Sequence, residues 1–412
     1  MMRKILMIAV LATPLLGSTA RAQDSVKIGL IDPLSGGGAS VGEVNLKTFQ
    51  FIADELNAKG GILGKKVEIV PFDNKTNPQE SLVQAQKAIA AGVRYITQGN
   101  GSAVAGALSD FVTKFNERNP GKEVLYFNFA AIDPVLTNEK CSFWHFRFDA
   151  NSDIKMEALT NYIKDTPAVK KVYLINQDYS FGEAVRSQAK AMLASKRPDI
   201  QIVGDELHPL LKITDFAPYV AKIKASGADT VITGNWGQDL TLLLKAAADA
   251  GLKVNWYTYY AGSATGVPTA VKQAGLNHRV FQIAEGLPNL GYAPADTFEK
   301  ALRAKYDSSL FIPRAVNEMR MFAAAAEKAK SLDPVKVAFA LEGMEFDVYD
   351  GGKGFMRKDD HQFFQPMYIS SFGERTEKEP FDEEKTGWGW KLVAKIDADK
   401  TILPTTCKME RP

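Results

Sequence analysis

What this sequence has little of narrows its role first. Cysteine occurs only as Cys141 and Cys407 in 412 residues, and the four histidines, His145, His208, His278 and His361, stand far apart. Neither type recurs at the short spacings that hold a metal ion, so no metal centre is expected. Beyond the opening residues, no run reaches the roughly 18 apolar residues of a membrane-crossing helix. No basic stretch interleaved with aromatics occurs and the formal charge is only +2, so there is no electrostatic case for nucleic acid. Chemistry-bearing patterns are equally scarce. Gly99, Gly101 and Gly106 do not make the G-x-G-x-x-G of a dinucleotide loop and read as turn-shaping residues. Ser102 lacks the flanking pattern of a nucleophile elbow. No set of base, nucleophile and oxyanion donors stands out, so neither an enzyme nor a cofactor is expected.

What is present begins with a leader. Met1 to Lys4 form a short cationic start, residues 5–17 are mostly apolar, and Ala20-Arg21-Ala22 fits a cleavage site. The apolar core is too short to span a bilayer, which favours an export signal cut after Ala22 over a retained anchor. No cysteine follows that site, which excludes a lipid anchor there. Loss of Arg3, Lys4 and Arg21 brings the formal charge to about −1. An even cysteine count in an exported chain points to a Cys141–Cys407 bond, with two separate thiols as the alternative. Apolar content of 45% and charged content of 24% suit a globular protein with a sizeable core, and the length suggests two domains.

The chain is organised around residues 26–74. Val26, Ile28 and Leu30 alternate, and the apolar run breaks at Asp32-Pro33, so a strand ends there. Ser40 with Glu43 predicts a capping box and a helix starting just after Ser40. Leu46, Phe49, Ala53 and Leu56 mark one apolar face of it, Gly60-Gly61 ends it, and residues 66–71 form the next strand. A strand-helix-strand unit of this length pairs in parallel through a right-handed crossover. It leaves the loop Ser35-Gly36-Gly37-Gly38 at the carboxyl end of a strand, where open α/β sheets bind ligands.

The same alternation then repeats. Helix 80–91, strand 93–97, a glycine-rich loop at 98–102, a helix to about 119 and strand 124–128 complete one doubly wound sheet. Residues 146–149 read as a connector. A second set follows: strands 172–175, 200–203, 230–233 and 255–259, with helices between them, one showing Leu240, Leu243, Leu244 and Ala247 on its buried face. Strand 280–283, helices 294–306, 316–330 and 334–341, and β-like pieces at 367–371 and 388–396 follow. Two similar sets about a connector predict two like lobes with a cleft between them.

The segments GLIDPLSGGGASVG and NAKGGILGKKVEIVPFDNKTNP, with DYSFGEAV, TGNWGQDL and AAADAGLK later, carry a resemblance over nearly the whole mature chain. They are similar to periplasmic binding proteins of the branched-chain amino acid type, the receptors of ABC importers. The resemblance implies an α/β fold of two flavodoxin-like three-layer lobes with parallel sheets, joined by three crossings near residues 148–151, 282–286 and 356–367. It places the lobes at residues 23–148 with 284–355, and 149–283 with 356–412. It also implies a small-molecule ligand in the cleft and a closed form that a membrane permease recognises; a monomer is expected.

Carried to single positions, the resemblance puts the ligand carboxylate against Gly99, Asn100, Gly101 and Ser102 and against Ala130, Ala131 and Ile132, with Ser35 in the first loop also facing the ligand. Exposed amides at a helix start favour an anion. Ile132 stands where a threonine is usual and Phe181 where a tyrosine is usual. Ala261 falls where amino-acid receptors place the carboxylate that pairs with the ligand ammonium. Tyr179, Phe181, Trp236 and Tyr260 offer an aromatic wall, and Asn100, Asn235, Glu285, Arg314 and Asn317 are further candidate polar contacts. An unpaired ammonium in a closed cleft is costly. The expectation is therefore a receptor for a small, partly apolar carboxylate, aromatic or aliphatic. The alternatives are a branched-chain or other hydrophobic amino acid receptor, an exported sensing subunit, or an enzyme on the same fold.

Overall fold

The structure, a computed structural model, describes residues 25–263 and 265–412. The expected leader and its cleavage site lie outside the described residues. The first lobe begins with β1 (Val26–Asp32), α1 (Ala39–Ala58), β2 (Val67–Asp73), α2 (Pro78–Ala90), β3 (Tyr95–Gln98), α3 (Ser102–Arg118), β4 (Leu125–Asn128) and β5 (His145–Arg147). Its five strands are all parallel, in the order β2-β1-β3-β4-β5. The second lobe follows with α4 (Ser152–Lys164), β6 (Lys171–Gln177), α5 (Ser180–Lys196), β7 (Gln201–His208), α6 (Ala217–Ser226) and β8 (Thr230–Thr233). It continues through α7 (Gly237–Asp249), β9 (Asn255–Thr258), α8 (Val267–Gln273) and β10 (Val280–Ala284). Its parallel strands run β7-β6-β8-β9-β10, the same relative order. In this flavodoxin-like order, connections on either side of the first strand leave in opposite directions, and a crevice opens at the strand ends there.

The burial pattern explains the strands. Leu30 and Ile31 of β1 point to opposite faces yet both are fully buried, as a parallel sheet covered by helices on both sides requires. Helix α7 buries Leu240, Leu243, Leu244 and Ala247, the stripe its spacing predicts. A Cβ on Gly42 would lie 1.8 Å from the carbonyl oxygen of Pro33, and one on Gly182 equally close to that of Gln177. Glycine there lets α1 and α5, the helices that follow the first strand of each lobe, lie directly on the end of that strand.

After β10 the chain returns to the first lobe. Helices α9 (Ala293–Tyr306), α10 (Pro313–Ala329) and α11 (Pro334–Leu341) add Phe298, Leu302, Met319, Phe322 and Val337 to its core. A small antiparallel sheet of β11 (Glu345–Asp347), β12 (Lys353–Met356) and β13 (Phe363–Phe364) follows. Strands β14 (Met367–Glu374) and β15 (Trp388–Ile396) then add an antiparallel hairpin beyond β10, because no crossover helix precedes β14 to carry the chain back for parallel pairing. Buried residues change lobe between Phe148 and Ala150, between Leu287 and Ala295, and between Phe363 and Phe364. The tail makes a further return to the first lobe: Thr405 Oγ1 donates to the Thr137 carbonyl at 2.8 Å, and Cys407 is bonded to Cys141.

Two local expectations are corrected. Ser40 and Glu43 form no capping box; α1 starts at Ala39 with Gly38 as its uncapped N-cap, because the Gly36–Gly38 turn runs straight into the helix. Glu43 instead pairs with Lys47 one turn on, at 2.7 Å. The supposed connector at 146–149 begins as β5, whose His145 to Arg147 pair with Tyr126 to Asn128, so only Phe148 onward crosses between lobes.

Candidate functional site

The carboxyl ends of both sheets face each other across a small cavity. Gly101, Tyr179 and Trp236 on its wall are the N-cap residues of α3, α5 and α7, and none of these helices has a side-chain cap. Three helix starts thus meet the cavity with unsatisfied first-turn N–H groups and partial positive charge. Trp236 Nε1 donates to Tyr179 Oη at 2.8 Å, which fixes the two rings together. Phe181 packs edge-on against Tyr259 and Tyr260, with centroids 5.6 and 6.1 Å apart. These rings give the second-lobe wall its apolar character.

The first-lobe wall is held from behind. Asp32, at the end of β1, accepts from Asn45 Nδ2 at 2.8 Å and from Asn100 Nδ2 at 2.7 Å. Burial pushes Asp32 up to about 6 against those bonds. Asn128 Oδ1 accepts from the amides of Ala130 and Ala131 at 3.2 and 2.8 Å, so both are already engaged inside the protein. Tyr260 Oη donates to the Ala130 carbonyl at 3.0 Å, a bond from one lobe to the other. At the outer lip, a Cβ on Gly37 would lie 3.2 Å from both Leu211 Cβ and Gln238 Nε2. The lobes therefore touch on both sides of the cavity, and the cleft is closed.

Behind Tyr260 lie four buried charges where the lobes join. Lys155 Nζ sits 2.8 Å from Asp149 and 3.5 Å from Glu285; Arg314 Nη1 donates to Glu285 at 2.6 Å and its Nε is 3.3 Å from Asp149. Two cations and two carboxylates balance, which makes the burial tolerable. Burial alone would raise Glu285, but Arg314 and Lys155 outweigh it and hold that carboxyl at about 2. Burial dominates at Asp149 and raises it despite the same cations. Gln362 Nε2 donates to the Asp149 carbonyl at 2.7 Å and Gln365 Nε2 to that of Phe148 at 2.9 Å, which ties the third crossing to the first.

Of the expected contacts, Gly99, Asn100, Gly101, Ser102, Ala130, Ala131, Ile132, Tyr179, Phe181, Trp236 and Tyr260 share the wall, and Arg314 joins them. Ser35, Asn235, Ala261, Glu285 and Asn317 lie off it. Ser35 Oγ donates to Asp73 at 2.5 Å, and Asn235 pairs with the His208 ring at 2.8 Å. The Ala261 amide is turned to Thr258 Oγ1 at 3.3 Å, and Asn317 bridges Gln365 and the Tyr349 amide at 2.8 and 2.7 Å. Glu285 is spent on the charged quartet. Sequence reasoning missed Val41, Asn45 and Ile312. Val41 and Asn45 stand one turn apart on α1, so their i, i+4 spacing beside the apolar face was the available signal. Ile312, just before Pro313, had none.

Comparison with known proteins agrees with this architecture. The family model described as periplasmic binding protein matches residues 25–376. A Leu/Ile/Val-binding protein homolog of Brucella abortus is 34% identical over 98% of this chain and 97% of its own length. The closed crystal structure of a leucine-, isoleucine-, valine-, threonine- and alanine-binding protein from Brucella ovis superposes with a TM-score of 0.82. It has 33% identity and covers 94% of this chain and 100% of that one. A solute-binding protein from R. palustris in complex with benzoate shares the fold, with a TM-score of 0.75 at 19% identity over 93% of this chain and 100% of that one. The chain belongs to the periplasmic binding protein family.

Proposed function

We propose that the cleft captures a small, partly apolar carboxylate that carries no ammonium group. The observation behind this reading is the charge of the wall: three uncapped helix starts and the Arg314 guanidinium line it, and no aspartate or glutamate among the described residues does. Asp149 and Glu285 lie behind it and are matched by Lys155 and Arg314, so neither is free to pair with a ligand ammonium. The rings of Tyr179, Phe181, Trp236 and Tyr260 suit the apolar part. The ligand binds one lobe of the open form and gains the contacts of the other as the hinge closes. The closed monomer then delivers it to a membrane permease, after export and cleavage behind Ala22.

A second reading, a receptor for leucine, isoleucine or valine, is favoured by the names of the relatives at 33 and 34% identity. A melting screen separates the two. A ligand at 100 times its dissociation constant stabilises by about 2.7 kcal/mol, a resolvable shift. Larger shifts with aromatic or aliphatic carboxylates than with leucine, isoleucine or valine are expected. The largest shift with leucine would replace this reading by the second.

A further inference from the structure

Arg314 lies in the wall with its side chain only 3% exposed. Glu285 takes its Nη1 at 2.6 Å and Asp149 lies 3.3 Å from its Nε, while no described protein group accepts from Nη2. The guanidinium is therefore hydrogen-bonded through Nη1, with Asp149 near a buried Nε that makes no hydrogen bond, and Nη2 is the donor left beside the cavity. Two-pronged pairing with a carboxylate needs two adjacent nitrogens; Nη1 is taken by Glu285, and Nε is buried out of reach. What remains fits one oxygen. The ligand carboxylate has its own donors at the start of α3, beside Ser102.

We infer that Arg314 is a specificity-determining residue, whose Nη2 donates to a single oxygen on the ligand other than its carboxylate, as in a 2-oxo acid. This rests on the carboxylate reading above and deepens it. The same fixed positive charge disfavours an ammonium at that place, since Asp149 and Glu285 hold the guanidinium and it cannot swing aside. Lys155 is a positioning residue: it neutralises the two carboxylates from the second lobe and has no part in the wall.

The test is calorimetry on the mature chain with matched probes: 4-methyl-2-oxopentanoate, 4-methylpentanoate and leucine, then phenylpyruvate and 3-phenylpropanoate. In each pair of acids the oxo acid should bind roughly 10-fold or more tightly than its counterpart, the size of one charge-assisted bond. Replacing Arg314 alone would leave two buried carboxylates sharing Lys155, so the variant is Arg314→Met with Glu285→Gln, which leaves Asp149 matched by Lys155. Arg314→Leu with Glu285→Gln, which likewise removes the donor and one carboxylate, is the companion should the first double variant fail to melt cooperatively. Either variant should bring the preference for the oxo acid close to one while the plain acid still binds. An unchanged preference, or none in the parent protein, overturns the role of Arg314 and leaves the carboxylate reading intact. Tighter binding of leucine than of its oxo acid, or no binding of either acid in both pairs, overturns the carboxylate reading as well.

Discussion

Replacing Glu318 by glutamine should change how stability depends on pH. Glu318 lies on α10, one turn beyond Arg314, and is fully buried. Its Oε1 accepts from Thr97 Oγ1 at 2.6 Å, and its Oε2 has no hydrogen-bond partner among the described residues. Burial pushes the carboxyl from 4.5 up to about 8, with the Thr97 bond opposing. Between those values the folded chain keeps a proton that the unfolded chain has released, so stability falls as pH rises through the window. Each pH unit is worth roughly 1.4 kcal/mol, which makes the full window about 5 kcal/mol. Glutamine does not titrate; its amide oxygen can accept the same Thr97 bond. Its buried NH₂ costs roughly 1–3 kcal/mol at every pH. From pH 5 to 8 the parent should therefore lose roughly 3–4 kcal/mol relative to Glu318→Gln. Urea unfolding followed by tryptophan fluorescence at four pH values reads this directly. A difference between the two proteins that stays constant from pH 5 to 8 would refute the argument.

Other outcomes follow from particular contacts. Trp236→Ala removes a wall ring and its bond to Tyr179, so the best ligand should bind roughly 10-fold or more weakly while the melt stays cooperative; unchanged affinity by calorimetry counts against a ligand role for this ring. Gly37→Trp adds bulk where Leu211 and Gln238 press on the lip, away from the cavity wall. Small-angle scattering should show this variant failing to contract on ligand addition, and contraction equal to the parent's would exclude the lip as a closure contact. The Cys141–Cys407 bond spans 266 residues and holds the returning tail, for which the chain-entropy model gives an upper value of about 5.6 kcal/mol. Titration of the denatured, unreduced protein should find almost no thiol, and Cys141→Ser with Cys407→Ser should lower the melting temperature. Two titratable thiols per chain would end that claim.

The sequence by itself determined the parallel α/β units, because burial on both faces of a strand and on one stripe of a helix leaves a periodic trace that a reader can follow. Leu30 with Ile31, and Leu240 through Ala247, show that trace. It also determined the family, since GLIDPLSGGGASVG and its partners recur in order, and Gly42 and Gly182 have a steric reason to be glycine. Local signals failed where a neighbour offered a better partner. Glycines ran on into α1 and left Ser40 without a capping role, and Asp73 drew Ser35 away from the cavity. Only the tertiary structure decided the character of the wall. Asp149, Lys155, Glu285 and Arg314 come from both lobes and from two of the crossings, and nothing in their local sequence marks them as one group. Their charges balance only when the crossings lie side by side. Hence the sequence could note a missing carboxylate at Ala261, but folding had to bring Arg314 to the wall and commit Glu285 to it, because the cost of burying a charge depends on neighbours far away in the chain.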